Sequence, residues 1–244
     1  MRRGRFCFIV VCVLLVLTGS AHGATLRIGS WDRQDDPLTI GSEAILVQAY
    51  AQANQPVEFV SLPIRRAMSM MLNGEIDGNL YRNATIALAH PELVRLETPI
   101  NAAAVRVYTR SRTLNPINWQ QLSGLRVAYR RGVIIIESHL GADVVRVEAK
   151  SEGDALRMAA AGAVDVALAV EPAQGTENPV ADGANLRRLD AALSSHLVHH
   201  YLLKRHAAFA LRLDAILKRM QQSGQMDMLR QRAVMQMENP PRQR

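Results

Sequence analysis

One supersecondary unit is written twice in this chain, and the repeat limits the fold more than any other feature. Residues 25–80 and 125–170 each read strand, helix, strand, helix, strand. Each copy ends on a matched junction: Gly74-Glu75-Ile76-Asp77 after the helical run Arg65 to Asn73, and Gly162-Ala163-Val164-Asp165 after Asp154 to Ala161. Strands alternating with helices form mostly parallel sheets, whose ligands lie beyond the strands' carboxyl ends. Two α/β lobes follow, with a cleft between them suited to a small molecule.

The first 23 residues set the compartment. Arg2, Arg3 and Arg5 precede an apolar run from Phe6 to Leu17, and Ala21-His22-Gly23 offers a cleavage site before Ala24. The apolar run, about 12 residues, falls short of the roughly 20 that cross a bilayer, so 1–23 reads as a secretory signal peptide. Cys7 and Cys12, the only cysteines, fall inside it, leaving the exported chain without disulfides or thiol chemistry. Losing three arginines lowers the formal charge from +7 to +4. With three lysines and no basic run interleaved with aromatics, nothing tracks a phosphate backbone, so a nucleic-acid role is not expected.

In the first copy Leu26 to Gly29 alternates as a strand, and Trp31 to Gly41 is a polar loop. Ser42-Glu43 is expected to start a helix with Ile45, Leu46, Ala49, Tyr50 and Ala53 on one face. Val57, Phe59 and Ser61 form a second strand, Pro63 opens a second helix, Asn73-Gly74 caps it, and Ile76 to Leu80 returns as a strand. The second copy runs Leu125 to Tyr129 (strand), Val133 to Leu140 (helix), Val144 to Val147 (strand), a Ser151 to Asp154 capping box before an Ala-rich helix, and Val164 to Val170. That last apolar run suits a strand covered on both faces. Glu171 to Asp190 reads as loop, Arg205 to Met237 as two helices separated by Gly224, and Asn239 to Arg244 as a frayed end.

Five segments in register carry a family resemblance. They are Leu62-Pro63-Ile64-Arg65-Arg66-Ala67 with Leu72 to Gly78, Glu97-Thr98-Pro99-Ile100, Trp119 to Ala128, Arg131-Gly132, and Ala161 to Asp165. The chain resembles the bacterial periplasmic solute-binding proteins of family 3, the extracellular amino-acid-binding type, in a divergent branch. The resemblance implies a two-lobed type II periplasmic-binding-protein fold, each lobe a mostly parallel sheet flanked by helices, with a hinge of two crossing strands. It divides the chain into a discontinuous lobe 1, residues 24–109 plus 198–244, and lobe 2, residues 110–197. It also implies a monomer that binds a small anionic or zwitterionic solute and hands it to an ABC-transporter permease or a sensor domain. No cofactor, metal or covalent chemistry is implied.

Typical members hold an amino acid's carboxylate with an arginine and its amine with a lobe 2 acid. Here Thr85-Ile86-Ala87-Leu88 lacks the arginine of the usual Thr-x-x-Arg motif, and Val170 stands where the acid falls, with Glu171 next to it. Arg82, at a strand's carboxyl end, is the nearest substitute for the first, able to grip a carboxylate or else to pair with Glu92 or Glu75. Arg66 projects into the cleft or braces Asp77, and Arg65 faces solvent. The N–H groups of Arg131, Gly132 and Val133, at a strand-to-helix turn, suit an anion or simply form the turn. Trp31, Tyr81 and Tyr129 stack on the solute's apolar part or fill the core. Glu171 receives a cationic group or faces solvent. Asp77 and Asp165, each just before a strand, read as helix-strand packing or capping residues.

Two alternatives remain open. One is a degenerate cleft serving a protein partner. The other is a dehydratase-like enzyme on a cyclic carboxylate, with Glu171 as the only candidate general acid. His196, His199, His200 and His206 cluster near the hinge, but adjacent His199 and His200 on an extended segment point to opposite faces, which opposes metal chelation by that pair.

Overall fold

The structure, a computed structural model, describes residues 24–31, 36–173 and 185–238. The signal-peptide reading of 1–23, the middle of each long loop and the frayed end from 239 lie outside the described residues. The first unit consists of β1 (Leu26–Ser30), α1 (Pro37–Gln52), β2 (Val57–Ser61), α2 (Ile64–Leu72) and β3 (Gly78–Asn83). A connector supplies α3 (Ile86–Ala89), β4 (Leu93–Arg95) and the long β5 (Asn101–Thr109). The second unit consists of β6 (Arg126–Arg130), α4 (Ile134–Glu137), β7 (Val145–Ala149), α5 (Glu152–Ala160) and β8 (Val166–Pro172). The chain then runs through β9 (Arg187–Arg188), the long β10 (Ser194–Leu203), α6 (Ala207–Gln222) and α7 (Gln225–Glu238).

The strands lie in the order β2-β1-β3-β10-β5-β8-β6-β7, with β4 on β10 and β9 on β5. The order is symmetric about its middle. β1 pairs in parallel with β2 and β3, and β6 does the same with β7 and β8. β10 and β5 then lie antiparallel against β3 and β8. β5 and β10 pair with each other over Asn101–Val105 and Ser194–Val198. Beyond that stretch β10 goes on along β3 and β4, whereas β5 goes on along β8 and β9. Two lobes joined by two crossing strands result.

Both junctions fold in the same way. Gly74 and Gly162 share a φ of +75°, a left-handed conformation open to glycine, and end α2 and α5. Asp77 then donates its N–H to Arg27 O at 2.7 Å and accepts the Arg27 N–H on Oδ2 at 2.9 Å. Asp165 repeats both bonds with Arg126, at 3.0 and 2.8 Å. Each aspartate thus clamps the first strand of its unit to the third, in the capping role read from the sequence.

Burial follows strand periodicity in the second lobe. Val127, Tyr129, Val166 and Leu168 enter one apolar cluster, while Ala128, Ala167 and Ala169 face Ala155, Leu156 and Ala159 of α5. β8 is therefore covered on both faces. In the first lobe Ile28, Ile45, Leu46 and Tyr50 pack with Leu213, Leu217 and Met220 of α6.

Two local expectations are corrected. α1 starts at Pro37, not Ser42, because Asp36 caps it by accepting the Thr39 N–H at 3.1 Å, with proline in the first turn, where a missing N–H leaves no bond unmade. Ser42 and Glu43 are buried within the helix, where Glu43 accepts the Ser30 hydroxyl. The helix expected over Val133 to Leu140 shrinks to four residues, Ile134–Glu137, since its β-branched isoleucines disfavour a longer helix.

Candidate ligand cleft

The carboxyl ends of the parallel strands converge on a cavity of about 90 Å³. Trp31 follows β1, Tyr81, Arg82 and Asn83 end β3, Arg130 ends β6, Glu152 lies just past β7, and Val170 lies near the end of β8. Ala103, His196 and Val198 of the two crossing strands also line it.

Arg82 is 8% exposed and faces this cavity. Its guanidinium lies 4.4 Å from the Trp31 ring centroid, donates from Nη2 to Ile64 O at 2.9 Å, and leaves Nε without a partner. Among the described residues no carboxylate pairs with it, neither Glu92 nor Glu75. Glu92 approaches His90 instead, and Glu75 accepts from Asn73. Burial pulls the Arg82 pKa down to about 10, so the group stays charged at neutral pH. Trp31 and Tyr81 meet edge to face at 5.5 Å, both in the lobe 1 core and both on the cavity wall.

The opposite wall is acidic. Glu152, 4% exposed, is the first residue of α5 and accepts the Val170 N–H on Oε1 at 3.0 Å. Its Oε2 has no partner. Burial, then the Asp36 charge, push its pKa well above the carboxylate range. Arg130 lies 3.8 Å from Asp36, an ion pair joining the end of β6 to the start of α1. On the crossing strand, His196 has a buried Nδ1 without a partner, and burial lowers its pKa.

The other residues singled out in the sequence lie elsewhere. Gly132 and Val133 line the cavity, but the three N–H groups of that turn are engaged. Gly132 donates to Glu137 Oε1 at 2.7 Å, Val133 to Arg130 O and Arg131 to Ala149 O. The Arg131 side chain points outward, 3.9 Å from Glu148, and Arg66 is exposed on α2. Tyr129 is buried in the second-lobe core, off the cavity lining. Glu171 is a strand residue, not a loop residue. It is 1% exposed, accepts the Tyr108 hydroxyl and lies 3.3 Å from Arg188 Nε, so it faces neither solvent nor the cavity. Arg65 bridges to Glu137 at 2.8 Å, joining α2 of one lobe to α4 of the other.

Asp36, Arg130, Glu152 and His196 are cavity residues that the sequence did not single out for binding. The available signal was position: each follows or ends a strand, or lies on a crossing strand, where α/β ligands bind. Among the described residues no group of three or more His, Cys, Asp or Glu side chains is placed to hold a metal, and His200 is a core residue bonded to Tyr50. No helix among them is long and apolar enough to cross a membrane.

No protein-family model matches the chain. An uncharacterized protein of Shewanella oneidensis is 25% identical over 199 residues, covering 79% of this chain and 75% of its own. Among solved structures, a histidine kinase sensor domain with similarity to periplasmic binding proteins is 18% identical, with a TM-score of 0.70 over 87% of this chain and 96% of its own. A mutant of ArgBP from T. maritima is 15% identical, with a TM-score of 0.69 over 86% and 95%. An amino acid ABC transporter substrate-binding protein from Streptococcus pneumoniae, bound to L-arginine, is 14% identical, with a TM-score of 0.69 over 87% and 95%. Strand order, crossing strands and these likenesses together give the chain the two-lobed type II fold of the periplasmic solute-binding proteins.

Proposed function

We propose that this chain is an exported periplasmic solute-binding protein whose lobes, residues 24–109 with 198–244 and residues 110–197, close over a small solute. The carrying observation is that three residues lining one cavity from lobe 1, lobe 2 and the hinge each carry a buried polar atom without a partner: Arg82 Nε, Glu152 Oε2 and His196 Nδ1. Buried polar groups are seldom left unpaired, and a solute between the lobes would pair all three. Arg82 receives the solute's carboxylate, since a buried guanidinium with no counter-ion among the described residues is a preformed anion receptor. Trp31 and Tyr81 hold the guanidinium in place, and Gly132 and Val133 close the far wall. The partner is a membrane permease or a sensor domain; a histidine kinase sensor domain and an ABC transporter substrate-binding protein share the fold.

The protein performs no covalent chemistry in this reading. The dehydratase alternative now rests on Glu152 rather than Glu171, because a buried carboxyl with a raised pKa facing a cleft is the form a general acid takes. Recovery of the bound solute unchanged in mass after long incubation excludes it.

A thermal-shift screen against amino acids, organic acids, polyamines and cyclic carboxylates tests the binding reading. A solute at ~100 times its Kd adds about 2.7 kcal/mol and raises Tm by several degrees. Arg82→Met is expected to abolish that shift. The empty variant is expected to melt no lower than the empty wild type, because removing a buried unpaired charge relieves roughly 3 kcal/mol of desolvation, which offsets the lost Ile64 bond and ring contact. A variant that keeps the shift contradicts the role of Arg82. No shift with any compound favours a cleft that serves a protein partner.

A further inference from the structure

The charges around the cleft can be counted, and the count, which rests on the solute-binding reading above, narrows the class of solute. Three carboxyls gather where lobe 2 meets α1: Asp36 before α1, Glu152 at the start of α5 and Glu171 on β8, with Asp36 and Glu171 both acting electrostatically on Glu152. Two arginines meet them, Arg130 at 3.8 Å from Asp36 and Arg188 at 3.3 Å from Glu171. Asp36 also accepts the Thr39 N–H and hydroxyl, and Glu171 accepts the Tyr108 hydroxyl. The third carboxyl has no arginine left to it. Glu152 is 4% exposed, accepts only the Val170 N–H, and its other oxygen is shut off from solvent without a donor.

An ionised Glu152 would be a buried charge with one hydrogen bond, set beside two other acids. The group therefore keeps its proton, in line with the upward push that burial and the Asp36 charge exert on its pKa. Among the described residues, then, the lobe 2 side of the cleft holds two balanced ion pairs and a neutral carboxyl, and burial keeps His196 of the hinge neutral at pH 7. Arg82 on the lobe 1 side stays charged and pairs with none of these acids. One positive charge is left uncompensated.

We infer that the solute is a monocarboxylic acid with an apolar body and no amine. Its single negative charge balances Arg82, and its hydrocarbon lies against Ile64, Ile86, Val133 and Ile134 of the cavity wall. An amino acid would satisfy Arg82 as well, but it brings an ammonium to a wall whose acids are paired with arginine or protonated. Placing that ammonium costs either its own desolvation without a counter-charge or the ionisation of Glu152 against Asp36 and Glu171. Val170, the apolar residue that lines the cavity from β8, offers it nothing.

Titration calorimetry of the wild-type protein at pH 7 with matched pairs tests this: 3-methylbutanoate against L-valine, 4-methylpentanoate against L-leucine and 3-phenylpropanoate against L-phenylalanine. Each acid is its partner without the amine. At least one acid is expected to bind, with its amino acid roughly tenfold or more weaker. 2-Methylpropan-1-amine, which is valine without its carboxylate, should not bind. The heat of acid binding should be the same in phosphate and in Tris, because Arg82 is already charged and Glu152 keeps its proton. An amino acid that binds as tightly as its matched acid overturns the inference, and so does exchange of close to one proton per bound acid. If none of the three acids binds while an amine-bearing compound raises Tm, the solute-binding reading stands and this inference falls. If nothing raises Tm, both fall.

Discussion

Arg82 and Glu152 show how differently two cleft residues can be written in a sequence. Arg82 was legible because it closes a strand whose carboxyl end had to open onto the cleft, and its neighbours Trp31 and Tyr81 came with it. Glu152 was hidden inside a capping box, Ser151 to Asp154, where an acid in the first helical turn is explained by the helix alone. Which face of that turn meets the cavity depends on how α5 packs on β8, and no local spacing encodes it. Gly78 is legible only in three dimensions as well. A Cβ there would strike the Tyr201 carbonyl oxygen, with Leu202 Cδ2 at 2.8 Å and Ile28 Cδ1 at 3.0 Å. Gly78→Ala is expected to lower stability by about 1–3 kcal/mol, read as a fall in the urea midpoint at constant slope.

The repeated unit was legible as elements because its junctions use residues with one conformational purpose. Gly74 and Gly162 must take positive φ, and Asp77 and Asp165 must accept a strand N–H. The start of α1 and the length of α4 were less so. The Asp36-Pro37 signal was absorbed into a loop reading, and the isoleucines after Val133 suit helix and strand alike. Core chemistry adds a pH dependence to the strand that crosses between lobes. His200 on β10 donates Nδ1–H to Asn79 O at 2.8 Å, because a carbonyl only accepts, so Nε2 accepts the Tyr50 hydroxyl at 2.9 Å. Burial holds its pKa down to about 4, against about 6.5 in the unfolded chain. Since the unfolded chain binds the proton first, the stability is full above pH 6.5 and is lost as pH falls towards 4, by roughly 3 kcal/mol at pH 4. Glu152 acts in the opposite sense, because acid relieves the need to protonate it on folding. The His200 contribution is therefore read as the difference between wild type and His200→Gln in denaturant melts from pH 7 to pH 4. Equal pH slopes for the two proteins contradict it.

Across the whole molecule, the fold was legible because a duplicated βαβαβ unit with matched junctions leaves few ways to arrange two lobes. The contacts that join the lobes were not, since they pair residues distant in sequence: Arg65 with Glu137 at the mouth and Asp36 with Arg130 inside. The first is well exposed on its arginine side, so it contributes little stability and opens readily. A solute that bridges Arg82 and Glu152 adds buried contacts on both walls and favours the closed arrangement by its differential affinity. Lobe separation is the quantity to measure. With Cys7 and Cys12 replaced by serine, spin labels at exposed Val47 of α1 and Val145 of β7 report it by pulsed electron resonance, with and without the solute that raises Tm most. The expected result is a broad distance distribution in the empty protein that narrows to its short end when solute is added, and stays broad in Arg82→Met. An unchanged distribution at saturating solute would contradict closure of two lobes over a bound small molecule.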